Sequence, residues 1–288
     1  MKTSALLDST FPESEIFQQN QIQELNKILD LFDTIIKNGT RIEYSDNIYS
    51  TPIDHTTFDE WIFSKSTDNP QLSDLKRELS LKFEKFLIIN NEQYNSKLSD
   101  IINIQFSEQL YFFISYNKKN DFFISSISDY FQALVLYIKQ YTNKENFIDD
   151  CIIAFHNLYF HENVSHSLNT LNVKFKDEKS LIIDHLNALN CSFKKILKEE
   201  TGYQQICKAF ECNTGIECSP QSNRKNTEHL YYNFINDEGL EENLCCELHT
   251  KLKWKYMDID KQDRIYFHPG KDTIHNGKIL IVHIGKHL

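Results

Sequence analysis

Apolar positions recur at helical spacing along the first two-thirds of the chain and at alternating spacing along the last third. In "ESEIFQQNQIQELNKILDLFDTIIKNG" the residues Ile22, Leu25, Ile28, Leu29, Phe32, Ile35 and Ile36 form one stripe, which Asn38–Gly39 closes as a C-cap. Thr57 is placed to cap a short helix over "FDEWIFSK". "LSDLKRELSLKFEKFLI" repeats the amphipathic pattern with Ser73 as its N-cap. "IINIQFSEQLYFFISY" fits one or two strands. "SISDYFQALVLYIKQYT" and "NFIDDCIIAFHNLYFHE" are apolar nearly all round and read as buried helices. "LNVKF" reads as a short strand or extended link, "EKSLIIDHLNALNCSFKKILKEE" as a further helix, and "YQQICKAFEC" as a short one. After the polar stretch "NTGIECSPQSNRKNTEH" the period becomes two, predicting strands over Leu230–Ile235, Leu244–Trp254, Arg264–His268 and Lys278–Ile284, with "NDEG" and "HPGKDTIHNG" as turns. Short links make consecutive strands an antiparallel meander. The expected fold class is α+β, a mainly helical amino-terminal region over residues 1–200 followed by a small antiparallel β-sheet domain over 201–288.

Glycine usage supports that division. Of seven glycines, six lie after residue 200, so turns needing φ > 0 concentrate in the last third. The 288 residues suffice for two domains, and an apolar share of 40%, with 21 Phe, supplies a core. The net charge of −10 argues against unaided affinity for nucleic acid or an anionic membrane. The balance is uneven, because from Glu247 onward eight Lys/Arg stand against five Asp/Glu. No apolar window is long enough to span a membrane, and "MKTSALLDSTFPESE" holds a short apolar patch without a signal-peptide core. An odd number of cysteines, seven, fits reduced thiols and a cytoplasmic location better than a disulfide framework.

Strand alternation collects the candidate chemistry. In "LCCELHTKLKW" the set Leu244, Cys246, Leu248, Leu252 and Trp254 faces one way, and Cys245, Glu247, His249, Lys251 and Lys253 the other. Arg264, Tyr266 and His268 alternate with Ile265 and Phe267, and His283 lies among the isoleucines of the last strand. Paired in order, these strands would gather Glu247, His249, Lys251, Arg264, Tyr266, His268 and His283 on one face. Such a set has the ingredients for RNA cleavage without a metal or other cofactor. His249 or Glu247 would take the 2′-hydroxyl proton, Arg264 and Lys251 would hold the phosphate, and His268, His283 or Tyr266 would protonate the leaving oxygen. The competing reading is an ordinary solvated face of an antiparallel sheet.

"DRIYF…GKILIVHIGKHL", an Arg-led strand, a turn and an isoleucine-rich strand ending in His-Ile-Gly-Lys-His, resembles the carboxyl-terminal hairpin of the RelE/ParE toxin superfamily. The resemblance covers at most the last sixty residues. It implies ribosome-dependent mRNA cleavage by side chains on the sheet face, phosphate binding by Arg264 with Lys251 as a second candidate, and His283 or His287 at the terminal position. Two departures are plain: members of that superfamily are small and basic, and no helical hairpin is evident before the sheet. The longer pattern "CCELHTKL…RIYFH…GKILIVHIGKHL" is similar to uncharacterised bacterial proteins of toxin or phage-defence loci. The expectation is a bacterial toxin-like or anti-phage effector acting on RNA, with a protein partner encoded nearby. The alternative is a non-enzymatic subunit that docks a protein or nucleic acid through the same sheet.

Other groupings carry less. Cys212, Cys218, Cys245 and His249 are the zinc ligands the cysteine pattern would offer, but C-x5-C is not knuckle spacing, and no metal is expected. Cys245 and Cys246 near His249 lack any flanking signature of a cysteine nucleophile. No glycine-rich loop suits a nucleotide phosphate. His156, His161 and His166 do not share a helical face, and Arg224–Lys225 read as a solvated loop.

Overall fold

The computed structural model describes residues 2–53, 55–65, 69–106, 109–221, 228–253 and 262–288, which form two compact units, 1–136 and 137–288. The first unit contains β1 (Lys2–Leu7), α1 (Glu15–Gln19), α2 (Gln21–Lys37), β2 (Arg41–Ser45), β3 (Pro52–Ile53), β4 (Thr56–Thr57), α3 (Phe58–Phe63), α4 (Pro70–Phe83), β5 (Leu87–Ile89), α5 (Asn91–Asn103), β6 (Gln109–Ile114), β7 (Phe123–Ile124) and most of α6 (Ile127–Tyr141). Its sheet is parallel throughout, in the order β5-β2-β1-β6-β7, with β3 and β4 forming a separate small hairpin. The chain therefore winds outward from β1 through β2 to β5, then crosses back to β6 on the other side of β1. At that reversal the Asp8 amide donates to the Ile114 carbonyl at 3.0 Å and Ser115 Oγ donates to Asp8 Oδ2 at 2.5 Å.

This corrects the expectation of a helical amino-terminal region. A central parallel strand is covered on both faces and reads as a near-continuous apolar run without alternation. "TSALL" likewise lacks alternation, its Ala5–Leu7 apolar and its Thr3 and Ser4 polar, yet Thr3–Leu7 are all buried in β1. β5 is hidden in the sequence by continuity: the stripe of α4 runs on into "FLI", but the helix stops at Phe83 and Leu87–Ile89 pairs with β2. At the other end α4 begins one turn before Ser73, where Asn69 accepts the Leu72 amide at 3.1 Å. The C-cap at Asn38 and the left-handed Gly39 (φ 78°) stand as the pattern placed them.

The second unit contains α7 (Phe147–Ala154), β8 (Leu158–Phe160), α8 (Asn163–Ser167), α9 (Phe175–Ala188), α10 (Lys194–Glu199), α11 (Tyr203–Thr214), β9 (Cys218–Ser219), β10 (Tyr231–Ile235), β11 (Glu241–Cys245), β12 (Leu248–Leu252), β13 (Asp263–His268) and β14 (Ile279–Gly285). The glycine count put the change of architecture near residue 200, whereas the compact units meet at Leu136. The helices between these positions cover the carboxyl-terminal sheet. One π-helical turn, Leu189–Phe193, joins α9 to α10. It delivers Phe193 edge-on against Phe267 of β13, with ring centroids 5.0 Å apart at 89°, and against Phe210 of α11 at 5.4 Å. His185 on α9 meets Thr250 of β12 at 2.9 Å.

The sheet runs β8-β14-β13-β12-β9. The meander β12-β13-β14 is antiparallel as expected, but β8 adds a parallel edge, and β10 and β11 form their own two-stranded hairpin. One antiparallel sheet was therefore too simple. The strand read over Leu244–Trp254 breaks at Cys246–Glu247 into members of two sheets, and Trp254 lies outside the described residues. Phe234 of the hairpin and Leu230, just before it, pack with Cys246, Tyr266, Leu280 and Val282. All seven residues of β14 are buried. Two packed faces, not one, hold the central strands.

Candidate active site on the imidazole face

Strand register makes the site. His249 of β12 pairs with Tyr266 of β13, which pairs with His283 of β14. Opposed residues on one face bring their side chains into contact, so the three rings stand in a row. Centroids are 4.9 Å apart for His249–Tyr266 and 5.7 Å for Tyr266–His283, the latter edge to face. A β-bulge follows the Tyr266–His283 pair. Tyr266 opposes His283 while Phe267 opposes Ile281, so Val282 is the extra residue, and Val282 and His283 both reach the Tyr266 side. Strict alternation would have set them on opposite faces.

The next pair along is Lys251–Arg264, and the pair beyond Phe267 is His268–Leu280. Glu247 precedes β12. Its carbonyl contacts His249 Nδ1 at 3.3 Å, while its carboxylate acts on Tyr203 and Cys245. Lys251 is ion-paired with Glu217, which also takes Lys253. Of the seven residues assigned to the site, His249, Tyr266, His283 and Arg264 thus converge. His268 lies on the flank, its Nδ1 accepting the Gly270 amide at 3.1 Å, and Lys251 and Glu247 are engaged elsewhere.

The face expected to be half-solvated is buried. His249 is 2% exposed, Tyr266 0% and His283 3%. Burial in low dielectric disfavours an imidazolium. It pushes His249 down to about 3, with the Arg264 guanidinium adding to the fall, and lowers His283 and His268 from their ordinary range. All three are neutral at pH 7. Polar contacts hold the rings: besides the Glu247 carbonyl at Nδ1, His249 meets Ser219 Oγ through Nε2 at 3.1 Å, and His283 Nε2 meets the Lys286 carbonyl at 2.8 Å. Burial raises the Tyr266 phenol, an effect that Arg264 opposes. Its oxygen accepts from Arg264 Nη1 at 3.4 Å and from the Leu288 amide at 3.3 Å, leaving its own O–H to donate. Arg264 Nε is buried and has no hydrogen-bond partner among the described residues. Nothing in the spacing of the sequence marked Ser219 or the Leu288 amide, since both reach the row through pairing and chain reversal.

The zinc grouping is not formed. Cys212 is exposed, Cys218 is buried against Cys207 and Cys245 is half-buried, and no cluster of three or more metal-ligating side chains occurs among the described residues. Arg224 and Lys225 lie outside the described residues. No helix among those residues is long and apolar enough to cross a membrane. No family model, no curated protein and no solved structure matches this chain.

Proposed function

We propose that this chain is a toxin-like or anti-phage effector whose carboxyl-terminal sheet binds RNA, with Arg264 taking a backbone phosphate. The observation that carries the reading is the state of that guanidinium: a permanent cation whose buried Nε–H has no hydrogen-bond partner among the described residues. Leaving a buried charged donor unmade costs about 1–3 kcal/mol. A phosphate oxygen would satisfy it while an adjacent oxygen accepts the Tyr266 O–H. Short single-stranded RNA, titrated by fluorescence anisotropy, tests this. Arg264→Ala should weaken binding by about 2 kcal/mol, roughly thirtyfold, with the near-ultraviolet circular dichroism of the fold retained. Binding unchanged within twofold would remove the proposal.

Metal-free cleavage is a second reading, favoured by the alignment of two imidazoles on either side of one phenol. His249 would accept the 2′-hydroxyl proton, the 2′-oxygen would attack phosphorus, and Tyr266 would protonate the departing 5′-oxygen, giving a 2′,3′-cyclic phosphate. Burial, with the Arg264 charge as the smaller cause, holds the neutral His249 imidazole near 3 and makes it a poor base, and a bound phosphate would relieve only the Arg264 part. RNA that stays intact in the presence of chelator, under conditions where it binds, would end the cleavage reading and leave the binding one standing.

A further inference from the structure

Cys207 and Cys218 lie outside the imidazole row, on two elements whose positions are fixed. α11 stops at the left-handed Gly215 (φ 72°), whose amide bonds to the Glu211 carbonyl at 2.8 Å. The Ile216 amide then bonds to Thr214 Oγ1 at 3.2 Å, and the chain turns back at once into β9. That reversal lays Cys218 against the last turns of the helix. The Cys218 thiol donates to Cys207 Sγ at 3.3 Å, and both residues are almost wholly buried, at 3% and 6% exposure. A disulfide bond is about 2.05 Å long. The sulfurs therefore need close by only roughly 1.3 Å for the bond to form.

We infer that Cys207 and Cys218 are an oxidisable dithiol, a modification site that hydrogen peroxide converts to a disulfide. Cys207 is the nucleophile, because the S–H of Cys218 stabilises its thiolate and lowers it from the usual thiol range, while Cys218 is raised and keeps its proton. The Cys207 thiolate attacks one peroxide oxygen, the O–O bond breaks, and hydroxide departs to take up the proton Cys207 had lost. The Cys218 sulfur then displaces the oxygen of the Cys207 sulfenic acid as water. Two thiols and one peroxide become one disulfide and two waters. Peroxide is hardly larger than water, which suits a pair that a bulky disulfide would not reach. Ser219, next to Cys218 in β9, is the residue that holds His249 Nε2. Oxidation thus ties the strand that orients the imidazole row to α11. The inference stands whether or not the sheet binds RNA.

The full-length protein, exposed to hydrogen peroxide, then alkylated in denaturant, digested and mapped by mass spectrometry, decides the matter. The expected product is a peptide pair joined through Cys207 and Cys218, about 2 Da lighter than the sum of the free peptides and separated again by dithiothreitol. Recovery of both cysteines as alkylated free thiols, at a dose that has oxidised the exposed Cys191 and Cys212, would overturn the inference. In Cys218→Ser the sulfenic acid has no resolving thiol, so Cys207 should be trapped by dimedone added in denaturant as soon as the peroxide is removed; an unlabelled Cys207 at that dose would overturn its assignment as nucleophile. The wild-type map alone remains decisive should that variant not fold.

Discussion

Two buried neutral histidines make the second unit sensitive to mild acid. His185, in contact with Thr250, and His249, in contact with Ser219, are 4% and 2% exposed, and burial holds them at about 4 and about 3. In the unfolded chain both titrate near 6.5. As pH falls below that value the unfolded state binds protons that the folded state refuses, so stability is full above about pH 6.5 and declines toward the folded values. Between pH 7 and pH 5 each group contributes a loss of roughly 2 kcal/mol, and the two together about 4 kcal/mol. Against a typical domain stability of about 5–15 kcal/mol this is a large fraction. Hydrogen exchange of the core amides of β12–β14, followed at pH 7, 6 and 5 after correction for intrinsic rates, measures it directly. The His185→Gln/His249→Gln variant should be less stable at pH 7 but markedly flatter with pH. A wild-type loss below about 1 kcal/mol over this range, or either imidazole titrating near 6.5 by NMR, would refute the assignment of buried neutral rings.

Two further substitutions test how the site is supported. Asp263 is fully buried and accepts the Asn172 amide at 2.8 Å, the Asn172 Nδ2 at 2.9 Å and the Val173 amide at 3.4 Å. Asp263→Ala strands those donors and should cost about 2–3 kcal/mol in denaturant titration, and a value under about 0.5 would mean the link before α9 is not fixed there. Gly285 leaves no room for a Cβ, which would meet Thr170 Oγ1 and, at 2.5 Å, the Ser167 carbonyl. Gly285→Ala should therefore lower the melting temperature by an amount equivalent to about 1–3 kcal/mol. Removing the threonine hydroxyl in the same chain should rescue only part, since the carbonyl remains, and full rescue would contradict the packing described.

Local pattern carried the elements that stand on their own spacing. α2 and its stop at Asn38–Gly39, the strands at Arg264–His268 and near Ile279, and the expectation that His249, Tyr266 and His283 would share a face follow from periods of 3.6 and 2, which the backbone imposes on any sequence. Of the seven residues expected on that face, cross-strand pairing brings His249, Tyr266 and His283 into one row with Arg264 beside Tyr266, while the bulge at Val282 breaks the alternation assumed for the rest of the last strand. The parallel sheet of the first unit was invisible for the opposite reason. β1, buried from Thr3 to Leu7, shows no alternation and passed for an apolar patch, while β5, exposed at Leu87 and Ile88, passed for a helix end because the α4 stripe runs on into it.

The chemistry of the imidazole face was decided by tertiary structure. Which residues are His, Tyr and Arg is written in the chain, and so is their order along the strands. Whether they are charged depends on what covers them, and the burial around Leu230 and Phe234 of the hairpin side is set by contacts between distant segments. A sequence fixes side-chain identity and local period, whereas dielectric surroundings and register come from long-range packing. That packing turned a face read as solvated and cationic into a dry row of neutral rings beside one under-satisfied guanidinium.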